Sequence, residues 1–587
     1  LSPDPPPRAR FGAGVCAAWR DAAFAWAATL LALCALILGA RRRLSAVASS
    51  TWAAMAAVLV VAVAARLFGL GAAGQTWDED VYWTAGRNLV QNLLELRLDA
   101  WWWRWNSEHP PVSKYLAGLG ALLWDGFGPA RGVAVVVSSL SCALLVPIGA
   151  RLGARGAGLL AGLVAALTPH LIAHGQLVGH ESPSLLWWTL GVLLALDVHR
   201  PGDAAVVPLR ALVLRLAAVS VVVGLAVSTR FIGALLGPAA VIVIGAWAPA
   251  GQRRRAVAVA LLVVPLGSLA TFFALWPWLW DSPVARLQES WSVLRAAVGP
   301  EPYLGALTSY PPRSYFVRYL LATTPVGVLL AAALWALHAV ATGWSRRPAS
   351  AGTAAQQSWP AMVTVLAWLA LPLVVCLSPV RKDGVRYVIP VVQGLSLVAG
   401  LGVAAVVARC SRRAALLAGA ALVSYLLWSC GRAQPYYLDY YNELTGGAAQ
   451  VSRDRAFETA WWGEGVDRAV AYVNQHAARG ARVARSCVAP AHVGWFRGDL
   501  WTPMAQAPHE AEWIVAYAPR SYPCPVPADA QLVLRAANTA KVHQLSVWDA
   551  MIVEAAVAAR CQELWSGDLA AGAVIRGGRV VNPLLPG

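Results

Sequence analysis

Charge is scarce in this chain. Asp, Glu, Lys and Arg make up 13% of its 587 residues, against 58% hydrophobic ones. A soluble fold of this length cannot hide so much apolar side chain, so a bilayer has to cover part of it. A mean hydropathy of +0.55 agrees. Lysine is scarcer still: Lys114, Lys382 and Lys541 are the whole complement, which makes arginine the default cation and each lysine informative. The nine cysteines include no Cys-x-x-Cys pair. Cys16, Cys34, Cys142, Cys376, Cys410 and Cys430 lie in or beside apolar runs and read as small packing residues. No internal repeat of 20 to 50 residues is visible.

What is present is a series of uncharged stretches close to the length that crosses a hydrocarbon core. They fall at 22–40, 48–68, 131–150, 156–175, 182–198, 211–229, 231–250, 256–276, 315–341, 359–379, 387–408 and 413–430, about twelve in all. The first is followed by Arg41-Arg42-Arg43, the reverse of the order in a cleaved signal, and is expected to stay as a span. The other basic loops carry Arg151 with Arg155, Arg200 with Arg210, Arg253 to Arg255, Arg346 with Arg347, and Arg409 with Arg412 and Arg413. All fall on one predicted side, the cytoplasmic one by the positive-inside rule. The net charge of +17 is therefore read as topogenic, and nucleic acid is not expected as a partner. The loops 69–130, 176–181, 277–314 and 380–386, a turn at 230 and everything after 430 then face outward.

From about 431 the chain becomes polar enough to fold in water. Val466, Ala469, Val470 and Val473 mark one helix face, and β-type runs follow at Arg482–Val488, Trp513–Ala518 and Gln531–Leu534. The expected fold is an α-helical polytopic membrane protein with a small C-terminal α/β domain. Residues 1–47 would carry an extra span, 48–430 the membrane domain, and 431–587 the domain outside the cytoplasm. There, Cys487, Cys524 and Cys561 allow one disulfide of unspecified pairing.

Five outward loops hold the residues that carry chemistry. Thr76-Trp77-Asp78-Glu79-Asp80-Val81-Tyr82 puts three acids among aromatics at the membrane surface, where a carboxylate can take a proton from a hydroxyl. Its plainer reading is a solvated loop with interfacial rings. In Glu108-His109-Pro110-Pro111-Val112-Ser113-Lys114-Tyr115 the prolines stop one helix and allow another to begin, leaving Lys114 in a first turn suited to a phosphate. His109 is a hydrogen-bonding group, a metal ligand or a loop residue. Glu181, in Gly179-His180-Glu181-Ser182-Pro183, is an acid at membrane depth or a helix cap. Arg230 is the one charge between Arg215 and Arg253, either an anion site or a turn marker. Arg381-Lys382-Asp383-Gly384-Val385-Arg386-Tyr387 sets three cations outside, against the topological trend, which a bound phosphate explains; pairing with Asp383 is the alternative. Acids, cations and aromatics on one face suit a lipid-linked phosphosugar.

In this order the motifs resemble those of the GT-C superfamily of glycosyltransferases. The sequence is similar, more narrowly, to the protein O-mannosyltransferase and aminoarabinose lipid A transferase group. The resemblance runs over roughly residues 48 to 470 and includes Arg386-Tyr387-Val388-Ile389-Pro390, Trp278-Leu279-Trp280-Asp281-Ser282-Pro283, Tyr437-Leu438-Asp439-Tyr440-Tyr441-Asn442-Glu443-Leu444 and Gly446-Gly447. It implies an inverting transfer of a sugar from a polyprenyl-phosphate donor to a protein, lipid or glycan hydroxyl at the outer face of a bacterial cytoplasmic membrane. Asp78 would be the base, with Glu79 assisting. Lys114, Arg230 and Arg386 would hold the carrier phosphate, with Arg381, Lys382, Tyr387, Tyr82, His109 and Glu181 lining the substrate. Two positions depart from the family pattern: Glu181 stands where Asp is usual, and Arg230 where Lys is common. The polar tail does not resemble the β-trefoil inserts of eukaryotic relatives. No cofactor is implied. Asp78, Glu79, Asp80, His109, His180 and Glu181 would have to gather to hold a divalent metal, and no tight ligand spacing supports one. The rival reading is a transporter or lipid flippase, which would place charges at the bilayer midplane and show paired repeats.

Overall fold

A computed structural model of the chain describes residues 49–123, 126–153, 155–199, 206–296, 300–341, 359–377, 382–407, 411–459, 461–486, 488, 495–502, 511–517 and 530–582. Two compact units emerge. One holds the chain up to Phe68 with Val81–Val298 and Arg313–Arg432; the other holds Gly69–Asp80, Gly299–Pro312 and Ala433–Gly587.

Among the described residues, six helices are long and apolar enough to cross a membrane: Ser50–Leu67, Phe127–Leu152, Leu209–Val227, Arg253–Leu275, Gly384–Ala405 and Leu416–Ala433. Two bent pairs, Gly156–Ala166 with Pro169–Gln176 and Tyr315–Thr323 with Val326–Ala341, raise the number to eight if each is one span. Glu181–Leu196, Phe231–Trp247 and Trp359–Val375 are shorter apolar helices. The protein is thus a multi-pass helical membrane protein, with six to eight long apolar spans among the described residues where about twelve were expected. The expected span 22–40 lies outside the described residues.

The breaks have physical causes. Proline lacks an N–H and clashes with the preceding turn, so the run 156–175 bends by 61° at Pro169, and the run 315–341 by 114° ahead of Pro325–Val326. A broken helix leaves carbonyls unpaired where no water can reach them. Arg66, fully buried, answers this in the first unit. Its guanidinium donates to the carbonyls of Ala166 (3.3 Å), Leu171 (3.1 Å) and Ala62 (3.2 Å) and to Ser138 Oγ (2.9 Å). Polar links also join helices inside this unit: Thr189 Oγ1 donates to Gln393 Oε1 (2.8 Å), and Gln393 Nε2 to Ser141 Oγ (3.0 Å).

In the second unit, helix Val466–His476 buries Val466, Val470 and Val473 against the parallel strand pair Val483–Ser486 and Trp513–Ala516. Ala530–His543 is a helix. The β-type reading of Gln531–Leu534 is corrected by Leu532, Ala536 and Ala540, a stripe with a helical period, of which Ala536 and Ala540 pack with Ala550 and Met551 of helix Val547–Ala558. Glu563–Trp565, Gly578–Val581 and Val574–Ile575 form a three-stranded sheet in that spatial order. Cys561 is free among the described residues; Cys487 and Cys524 lie outside them.

Candidate functional site

In the first unit, helix Val112–Ala121 begins at Pro111 and crosses helix Trp77–Leu94 on bare backbone. A Cβ at Gly118 would collide with the Gly86 carbonyl, and one at Gly86 with the Lys114 carbonyl. This close approach buries the first turn, with Lys114 only 1% exposed. The Lys114 ammonium donates to the carbonyl oxygens of Asn106 and His109, 2.6 Å each, and to Asn106 Oδ1 at 3.4 Å. It thus clips the 106–109 turn, in which Asn106 takes a left-handed φ of 49°. Burial pushes its pKa down from 10.5 to about 7, with Glu108 opposing the shift. Ser290 Oγ donates to the Ser107 carbonyl at 2.7 Å, and the Val112 N–H to the Ser228 carbonyl at 2.9 Å, tying the same loop to the turn of Arg230.

His109 and His180 lie together. Their ring centroids are 4.7 Å apart, and the Tyr82 ring meets His180 edge-on at 4.5 Å. Ser113 Oγ and His180 Nδ1 are hydrogen-bonded at 2.7 Å. Burial holds both imidazoles well below their ordinary pKa. Arg230, Lys114 and Arg386 add repulsion at each, and His109 adds to the shift at His180. Both are neutral at physiological pH.

Arg230 is 7% exposed and sits between partners. Its Nη1 donates to Glu181 Oε1 at 3.0 Å and to the Arg386 carbonyl at 3.4 Å, while its guanidinium carbon lies 4.0 Å from the centre of the Tyr387 ring. Its Nε and Nη2 make no hydrogen bond among the described residues. Arg386 pairs with the buried Asp383 at 2.6 Å, and its guanidinium carbon lies 5.6 Å from the centre of the Tyr387 ring. Tyr315 Oη accepts from the Gly384 N–H at 2.9 Å, where Gly384 has φ 56°, and so fixes the turn carrying this pair. Lys382 is half-buried in the same turn, and Arg381 lies outside the described residues.

In the second unit, the segment 69–80 is pinned from both ends. The Gly465 N–H donates to the Ala73 carbonyl at 3.0 Å, and Trp77 packs edge-on against Tyr517 at 5.1 Å. Thr76 and Glu79 form a capping box at the start of helix Trp77–Leu94: Glu79 Oε2 accepts from the Thr76 N–H (2.9 Å) and Oγ1 (3.3 Å). Glu79 is fully buried in that role, whereas Asp78 and Asp80 are half-buried. Tyr437, Leu438, Tyr440 and Tyr441 are buried nearby in sequence order, with Tyr441 Oη donating to the Glu458 carbonyl at 2.5 Å. Burial pushes the Tyr436 phenol up to about 12.

The structure therefore joins Tyr82, His109, Lys114, Glu181, Arg230, Arg386 and Tyr387 within the first unit and fixes Asp78 and Glu79 in the second. Sequence reasoning assigned no role to Ser113 or Tyr315, which carried no signal; Asp383 was expected as a pairing partner of its neighbouring cations, and it pairs with Arg386. Among the described residues, no group of three or more His, Cys, Asp or Glu is arranged to hold a metal ion.

These features define a multi-pass membrane protein whose inter-helix loops gather cations, imidazoles and paired carboxylates. Residues 108–278 match the family described as dolichyl-phosphate-mannose-protein mannosyltransferase. The resemblance to glycosyltransferases of the GT-C superfamily therefore holds over that stretch, from Glu108 through His109, Lys114, Glu181 and Arg230 to Trp278. No curated protein matches the chain. Among solved structures, ArnT from Cupriavidus metallidurans in the apo state is similar at 14% identity, over 78% of this chain and 87% of that one, with a TM-score of 0.47. The same protein bound to undecaprenyl phosphate is similar at 16% identity over the same shares, TM-score 0.43. The oligosaccharyltransferase of Archaeoglobus fulgidus, tethered with an acceptor peptide, is similar at 11% identity over 81% of this chain and 60% of its own, TM-score 0.42.

Proposed function

We propose that the protein is a membrane glycosyltransferase. It moves a sugar from a polyprenyl-phosphate donor to an acceptor hydroxyl at the outer face of a bacterial cytoplasmic membrane, with inversion at the anomeric carbon. In this reading the loops of the site and the C-terminal domain lie outside the cytoplasm. The observation that carries it is Arg230, a buried guanidinium inside the family-matched stretch with Nε and Nη2 unused among the described residues.

The chemistry follows from charge. As the acceptor oxygen attacks the anomeric carbon, its proton passes to the Asp78 carboxylate and the bond from sugar to phosphate oxygen breaks. The lipid phosphate departs with the electron pair. Arg230, held in orientation by Glu181 and Tyr387, stabilises the growing negative charge through charge-assisted hydrogen bonds, with Arg386 adding its field. Asp78 suits the base better than Glu79, because the Glu79 carboxylate closes the helix N-terminus. Lys114 supports the site from behind by clipping its loop rather than by touching phosphate.

Mass spectrometry of glycans and lipids from cells with and without the gene tests the reading. A sugar-bearing species present only with the gene supports it and names the acceptor. Identical glycan and lipid profiles contradict it.

A further inference from the structure

We propose that His109 and His180 form a paired imidazole site that reads a hydroxyl group of the transferred sugar. The inference rests on the glycosyltransferase reading and deepens it by assigning donor-sugar recognition to named atoms.

Each ring has one buried nitrogen with no hydrogen-bond partner among the described residues: Nε2 of His180 and Nδ1 of His109. Buried polar atoms are nearly always paired, and each one left bare costs about 1–3 kcal/mol. Two neighbouring rings, their centroids 4.7 Å apart, thus each carry one such nitrogen. The surroundings hold both rings in place. Ser113 anchors His180 through Nδ1, Tyr82 packs edge-on against it, and Lys114 grips the His109 carbonyl.

The chemistry of the ligand follows from that of the rings. Neutral imidazole offers a donor or an acceptor according to tautomer, and a hydroxyl is both. A phosphate group only accepts and favours cations, which Arg230 and Arg386 supply. The neighbouring guanidinium groups and burial keep the histidines uncharged, so the pair matches a neutral polyol better than an anion. The signal in the sequence was slight, a histidine in front of Glu181 and another in front of two prolines.

Two substitutions remove the unpaired nitrogens while keeping a polar atom at the other ring position. His180→Asn retains an atom near Nδ1 for Ser113, and His109→Gln retains one near Nε2. Binding is measured in detergent for undecaprenyl phosphate and for undecaprenyl-phosphate mannose, glucose and arabinose. The expected result is that wild type binds one sugar-bearing lipid more tightly than undecaprenyl phosphate. Each variant then loses about tenfold for that lipid and keeps its affinity for undecaprenyl phosphate, which also shows that it folds. Equal losses for both lipids, no loss for either, or a wild type that ignores the sugar overturn the inference alone. A wild type that binds none of these lipids overturns the glycosyltransferase reading as well.

Discussion

Glu181 and Arg230 are ion-paired at 3.0 Å with both side chains more than nine-tenths buried. A buried pair adds little over apolar groups of the same shape, but loss of one member strands the other charge at a cost of about 3–5 kcal/mol. Glu181→Gln and Arg230→Gln are each expected to lower thermal stability in detergent strongly, and the double variant less than the sum. Additive losses in that cycle would show that the two side chains do not act as a pair.

Lys114 yields a prediction in pH. Its folded pKa of about 7 lies below its ordinary value of 10.5. Below pH 7 both folded and unfolded chains carry the proton, so the residue adds no slope. Between 7 and 10.5 only the unfolded chain holds it, and the contribution of Lys114 to stability rises with pH. Comparison of Lys114→Met with wild type across this range should show the wild-type slope reduced in the variant. Parallel curves would place the lysine in contact with water.

The crossing at Gly86 and Gly118 leaves no room for a methyl group, since backbone rather than a flexible side chain stands in the way. Gly118→Ala should cost about 1–3 kcal/mol, because one helix must shift. Moving helix Val112–Ala121 also moves Ser113 and the clip of Lys114, so donor binding should fall with stability. Unchanged melting and binding would mean that the helices can separate freely.

The capping box of Thr76 and Glu79 separates two neighbouring acids. Glu79→Gln should lower stability by about 1 kcal/mol through the helix start while leaving measurable transfer activity. A stable Glu79→Gln variant without activity would move the chemical role from Asp78 to Glu79.

Much of this was legible in the sequence, and the reasons differ by element. Apolar length alone located Ser50–Leu67, Phe127–Leu152 and Arg253–Leu275, because lipid tolerates few other patterns. The His109-Pro110-Pro111 boundary was legible because proline acts locally. The breaks at Pro169 and before Val326 were not, since whether proline kinks or ends a span depends on who satisfies the freed carbonyls, here Arg66 for the first. Gln531–Leu534 read as a strand because a four-residue apolar run has no decisive period; Ala536 and Ala540 supply it. Lys114 was expected to meet phosphate; its contacts to the carbonyls of Asn106 and His109 were not expected, because no residue identity announces a backbone partner. The contact of Ser113 with His180 joins positions 67 apart and was equally hidden.

The proton acceptor is the centre of the account. Purified wild type and Asp78→Asn, reconstituted in liposomes with undecaprenyl-phosphate sugar and the acceptor found in cells, give the direct test. The account predicts that the variant folds, binds donor lipid as wild type does and transfers sugar at least a hundredfold more slowly, the lower bound of about 10² for loss of a general base. Transfer at a near-normal rate by Asp78→Asn would contradict it.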